Sequence, residues 1–151
     1  MATKTIANLR TAGLAPASSD RASFPGTVML DFELDGKKLA VAATDLVQFF
    51  EIPAYAGFVV DAVGITVIAP GTATGTMDFQ LAGTDVTGCT GWLTDAAAGT
   101  ELLKLATAAN TVVNTGTATY LNLQQNTAAL GIGRVRVRVF GTLMKSPSTQ
   151  V

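Results

Sequence analysis

The sequence predicts an all-β chain. The expected architecture is a two-sheet antiparallel sandwich, jelly-roll-like, with an extended N-terminal arm and at most one short helix. Three observations predict it. First, Gly133 to Leu143 reads GRVRVRVFGTL and alternates arginine with valine from Arg134 to Val139. Successive strand side chains point to opposite faces, so Val135, Val137, Val139 and Leu143 share one face and Arg134, Arg136 and Arg138 the other. A helix would scatter those arginines around its circumference. Second, seven or eight short β-type runs are punctuated by turn residues, with no repeat of fixed period. Third, the 151 residues are 48% hydrophobic, with Ala, Val, Thr and Gly frequent, but only 14% charged. Small side chains and many turns suit packed sheets, and an immunoglobulin-like sandwich is the alternative winding.

Taken in order, residues 1–26 form a distinct arm, rich in Ala, Ser and Thr, with Pro16 and Pro25 and no sustained period. Such a segment is loose unless something holds it. A neighbouring subunit is the favoured holder, its own domain the alternative. The β domain spans 27–144, and 145–151 is a short polar tail. Thr27 to Leu34 is the first strand, with Val28, Leu30, Phe32 and Leu34 inward and Met29, Asp31 and Glu33 outward. Asp35-Gly36 has the composition of a two-residue hairpin turn, which predicts Lys37 to Ala42 as the returning strand. Asp31 and Glu33 are natural partners for the arginine row, which places this strand beside 134–143.

Leu46 to Ile52 is a strand ended by Pro53, with Leu46, Phe50 and Ile52 on one face and Val47, Phe49 and Glu51 on the other. Gly57 to Ala69 carries apolar residues on both faces. Phe58, Val60, Ala62 and Ile68 lie on one, and Val59, Val63, Ile65 and Val67 on the other. That pattern predicts burial on both sides, or one side against another subunit. Thr76 to Ala82 alternates with Met77, Phe79 and Leu81 inward, and Trp92 closes one end of the core. Ala96 to Ala109 is the one helix candidate, anchored by Leu102, Leu103 and Leu105. Thr111 to Asn114 and Thr117 to Gln124 are strands rich in Thr, Val and Tyr, and a loop leads to the last strand.

The residues also exclude chemistry. There are no histidines and one cysteine, Cys89, so no Ser-His or Cys-His nucleophile, no intramolecular disulfide and no ordinary zinc site can be assembled. Cys89 lacks an activator and reads as an inert thiol. Gly131-Ile132-Gly133 precedes a strand, not a helix, so it is no dinucleotide fingerprint. Asp78 and Asp85 read as a strand-face and a turn residue rather than a glycosidase pair. We therefore expect no catalytic residue, no cofactor and no metal. Net charge is −1, which gives no long-range attraction for nucleic acid. No membrane segment is expected, because the longest apolar stretch is short and interrupted, and residues 1–20 lack the apolar region of a secretory signal.

A family resemblance goes further. DLVQFFEIPA at 45–54, the valine-rich strand after it, GTMDFQL at 75–81, Gly83-Thr84-Asp85 and the final Arg-Val strand together resemble small decoration or cement proteins of tailed-bacteriophage heads. The resemblance covers roughly residues 27–144. It implies a virion structural protein on the capsid outer surface, bridging subunits of the major capsid protein and forming homo-oligomers, trimers above all. It makes Val47, Phe49, Val59, Val63 and Ile65 candidates for protein contacts, together with Arg134, Arg136 and Arg138. The competing reading is that the apolar five complete the core and that the arginines pair with carboxylates. The alternative function is a trimeric receptor- or glycan-binding module of a tail fibre, using Trp92, Tyr55 or Tyr120.

Overall fold

The computed structural model describes residues 1–5 and 26–145, and the remainder of the expected arm and tail lies outside them. Eleven strands and one helical turn are present among the described residues. They are β1 (Thr3–Thr5), β2 (Gly26–Asp35), α1 (Gly36–Leu39), β3 (Leu46–Ile52), β4 (Ala56–Ala69) and β5 (Thr76–Leu81), then β6 (Thr84–Asp85), β7 (Trp92–Leu93), β8 (Glu101–Leu105), β9 (Thr111–Val113), β10 (Thr119–Asn126) and β11 (Arg134–Lys145). One sheet runs β1-β3-β10-β5-β6, with β7 also on β5; the other runs β2-β11-β4-β8, with β9 also on β4. Apart from parallel β1, the pairs nest: β2 with β11, β3 with β10, β4 with β8 and β9, β5 with β6 and β7. That is one long antiparallel ribbon rolled up on itself, the jelly-roll winding.

The inward faces supply the core. Leu30, Phe32 and Leu34 of β2, Val135, Val137 and Val139 of β11, and Met77 and Phe79 of β5 are all buried, as their alternation predicts. Phe49 stands between Phe32 and Phe79, with ring centroids at 4.8 and 6.0 Å. Trp92 is buried at the end of this core and Lys104 Nζ lies 4.8 Å from its ring centre.

Three expectations fail locally, each for a physical reason. Lys37 to Ala42 does not return as a strand. The Asp35 carboxylate instead accepts hydrogen bonds from Lys37 N at 3.0 Å and Lys38 N at 3.2 Å and caps α1. The partner of β2 is β11, from the far end of the domain. Ala96 to Ala109 is not a helix either: its centre is β8, an edge strand on β4. Its three leucines are exposed there, so the apolar spacing never meant a helical core face.

The third failure concerns β4 and β3. Phe140 pairs with Ala62 but Gly141 with Val60, so Asp61 has no opposite number. This bulge switches the inward parity of β4 from Phe58 and Val60 to Val63, Ile65 and Val67. The apolar residues that the sequence distributes over two faces therefore mostly point into one core. A second slip, where Leu121 pairs with Phe50 but Asn122 with Gln48, does the same for Val47, Phe49 and Ile52 of β3.

Of the N-terminal arm, Thr3 to Thr5 form a parallel edge strand on β3 of their own domain. Asp45 fixes this strand. The residue is only 4% exposed, and its carboxylate accepts hydrogen bonds from Ala42 N at 2.9 Å and Ala2 N at 2.8 Å. Those N–H groups, Ala42 first and then Ala2, hold its pKa below the ordinary 3.8. A depressed carboxylate stabilises the fold above its unfolded pKa, so this clamp is complete at neutral pH and is released as pH falls through the folded value.

Candidate interaction surface

The outward face of the β2-β11-β4-β8 sheet is built in rows, because residues in register across a sheet share a face. One row is Glu33, Arg136, Thr66 and Glu101; the next is Asp31, Arg138, Gly64 and Leu103; the next is Met29, Phe140, Ala62 and Leu105. Charge therefore grades into apolar surface across the same four strands. Neighbouring strands lie about 4.8 Å apart, so the apolar row is roughly 14 Å wide. Beyond it, Val59 is half-buried and Val113 faces out beside Gly57. Met29 is 51% exposed, Leu103 63%, Leu105 67% and Val113 62%. These four large side chains lie on a sheet face that nothing else among the described residues covers.

The charged rows neutralise themselves. Each arginine reaches diagonally rather than straight across, as sheet twist favours. Arg134 lies 3.4 Å from Glu33. Arg136 grips Asp31 with two bonds, Nε to Oδ1 at 2.7 Å and Nη2 to Oδ2 at 2.5 Å. Arg138 bonds Glu101 and also donates to Thr66 Oγ1 at 3.1 Å. Hydrogen bonding from Arg136 holds the Asp31 carboxyl below its ordinary value, and the same contact raises the guanidinium pKa. Three guanidiniums facing three carboxylates leave no open cationic row for a phosphate backbone. Asp31 and Glu33 are the partners the alternation predicts. Glu101 was not foreseeable, because its segment reads as a helix.

This arrangement predicts the behaviour of Arg136→Ala. The chain stays folded with a small loss of stability that shrinks as salt screens the pair. Because Asp31 has a depressed pKa, the difference from wild type is present at neutral pH and vanishes as pH falls through that value. Thermal melts at low and high salt and across pH 3 to 7 check both statements (about neutral down to roughly the carboxylate range).

The apolar contact candidates divide. Val47, Phe49, Val63 and Ile65 are enclosed in the chain's own core and offer no surface. Val59 alone lies on the outer face, beside Thr111 and Thr142. Sequence reading missed Leu103, Leu105 and Val113 as surface residues. Outward parity already marked Met29, and the same parity on β11 points to Phe140.

Sites of other kinds gain little. Trp92 is 1% exposed and covered by Lys104, so it is no sugar platform. Tyr120 donates its hydroxyl to Glu51 at 3.2 Å, and that neighbouring carboxylate pushes the phenol pKa up. Asp78 accepts from Gly91 N and Asn126 Nδ2, and Asp85 from Gln80 Nε2, so both carboxylates brace turns and strand edges. Burial raises the Cys89 thiol pKa, which keeps it protonated and unreactive. No cluster of three potential metal-ligating side chains exists among the described residues.

No protein-family model matches the chain, and no curated protein does. Among solved structures, it is similar to the capsid of Ralstonia phage GP4 with a TM-score of 0.46 and 16% identity, over 93% of this chain and 96% of that one. It is also similar to the sugar-binding C-terminal domain of EclA, with a TM-score of 0.36 and 13% identity over 77% and 78%. A third likeness is to PliG of Aeromonas hydrophila, a periplasmic inhibitor of g-type lysozyme, with a TM-score of 0.32 and 11% identity over 95% and 96%. Likenesses of this grade bear on neither the function nor the partners of the chain.

Proposed function

We propose that this chain is a non-enzymatic virion structural protein that binds the outer surface of a bacteriophage capsid and bridges neighbouring subunits of the major capsid protein. The observation that carries the reading is the outward apolar row in which Met29, Phe140 and Leu105 flank the buried Ala62, continued by Leu103 and Val113 and covered by nothing else among the described residues. An apolar patch rimmed by polar residues fits a protein partner. The self-paired arginines beside it argue against a nucleic-acid partner and for a rim that sets orientation. The resemblance to head-decoration proteins supplies the partner class. Many symmetric copies of a modest contact add up by avidity, which suits a chain that clamps a lattice, as a trimer in our reading. The glycan-binding alternative loses Trp92 to the core.

The test is Leu103→Asp combined with Leu105→Asp, using shells purified from virions and stripped of this chain. Both leucines are exposed, so the melting temperature stays close to wild type. Rebinding to the shells drops by about 100-fold, as loss of central apolar contacts does at interfaces. Undiminished rebinding would remove this face from the proposal. Absence of the chain from virions by quantitative mass spectrometry would remove the capsid altogether.

A further inference from the structure

The ten-strand nest of the jelly roll, β2 to β11, is complete without β1. That strand is a three-residue addition, parallel to β3, with Thr3 opposite Leu46, Lys4 opposite Val47 and Thr5 opposite Gln48. Thr3 and Thr5 are exposed, so side-chain burial contributes little to its docking. What holds it is main chain and one carboxylate: Leu46 N donates to Ala2 O at 2.8 Å, and Ala2 N to Asp45 Oδ1 at 2.8 Å. The slot thus reads backbone, and any copy of residues 2–5 satisfies the same bonds. Thr5 and Gly26 lie in different sheets, and the connection between them is 6–25, twenty residues. A chain of that length reaches at most roughly 70 Å.

We infer that the β3 edge, with Asp45 at its start, is an exchange site for the N-terminal strand of a second copy of this chain. The intramolecular and exchanged forms contain the same hydrogen bonds. They differ only in the effective concentration that a tether of that length confers, on the order of 1 mM. In dilute solution each chain fills its own slot. Where copies are packed side by side at comparable local concentration, strands pass between them and link the copies into a chain-mail of β1 on β3. This holds for any dense assembly of the chain and does not rest on the capsid reading.

The test uses the full chain in two forms, Thr5→Cys and Gln48→Cys, made separately and mixed under a mild oxidant. Paired strands bring these Cα atoms to about 4.8 Å, within the span of a disulfide, and the native Cys89 is buried. We expect a disulfide-linked dimer joining position 5 of one chain to position 48 of the other, identified by peptide mass spectrometry. Its yield rises severalfold as protein concentration approaches the millimolar range. Removing residues 1–5 from the Gln48→Cys chain empties its own slot and raises that yield severalfold, since only the tethered strand competes with the incoming one. Two results overturn the inference. One is no mixed dimer at any concentration while a chain carrying both cysteines closes completely on itself. The other is a mixed dimer whose yield does not change when residues 1–5 are removed from the Gln48→Cys chain, which marks random collision.

Discussion

Phe49→Ala lowers the stability of the isolated chain by about 3–5 kcal/mol, the usual cost of removing a buried phenylalanine ring. The sequence permits a very different outcome, because Phe49 shares a face with Val47 and Glu51 and reads as a residue offered to a neighbour. The structure instead places its ring 4.8 Å from Phe32 and 6.0 Å from Phe79, joining the two sheets. Truncation leaves a cavity at the centre of the sandwich that strands on both sides cannot close. For a chain of this size each kcal/mol moves the melting temperature by roughly 2–4 °C, so the midpoint falls by on the order of 10 °C. Urea titration of the free protein gives the same answer through its midpoint, with an unchanged slope. A wild-type melt with impaired oligomerisation would return Phe49 to the surface.

The second large effect is Gly141→Ala. Gly141 lies on the inward side of β11, at the register slip opposite Val60. A Cβ there meets Val59 O at 2.5 Å and the Phe58 ring at 2.7 Å. The first obstacle is backbone held in the β4 ladder, and the second is a fully buried ring. Neither moves without displacing its neighbours. Overpacking of this kind costs typically 1–3 kcal/mol and here falls at the upper end, about 3 kcal/mol. The bulge must also relax, so hydrogen exchange at the backbone amides of 58–63 accelerates beyond the global effect. Gly83 is the contrast: nothing lies within 4 Å of its Cβ position, though its φ of +81° still strains a side chain. Gly83→Ala therefore shows the backbone cost alone. Equal stability losses for the two would refute the packing argument at Gly141.

The two effects mark where local patterning stops informing. Strand β11 and its neighbour β2 were legible because their alternation is uninterrupted and their charges are complementary. The Arg136 pair with Asp31 follows from that almost directly, although its diagonal reach comes from twist. In β4 and β3 the alternation is just as strong, but one unpaired residue in each, Asp61 and Phe49, shifts the register against the partner strand. A bulge is set by what lies opposite, so no reading of β4 by itself can tell Val63 in the core from Val63 on a surface. Asp35-Gly36 shows the same limit at a turn. The dipeptide suits either a hairpin or a helix cap, and the docking of Gly36 beside Leu130 and Gly133 O selects the cap.

The interaction surface divides along the same line. Met29 and the arginine row were placed outward by parity, and that placement holds. Leu102, Leu103 and Leu105 suit the anchors of a helix, because three leucines in four positions satisfy a helical stripe as well as an edge strand. What makes them a surface is the pairing of Leu103 with Gly64 and Leu105 with Ala62, forty residues back in the chain. Composition and alternation alone determined an all-β sandwich, the inward faces of its regular strands, the pairing of its first long strand with its last, and the lack of histidine chemistry. Those properties follow from side-chain period and residue type, which are local. The tertiary structure decided which faces of β3 and β4 are buried, that 101–105 is a strand, that residues 3–5 close on β3, and that apolar and charged rows share one sheet face. Each of these depends on register between segments distant in sequence, and register is a property of the pair.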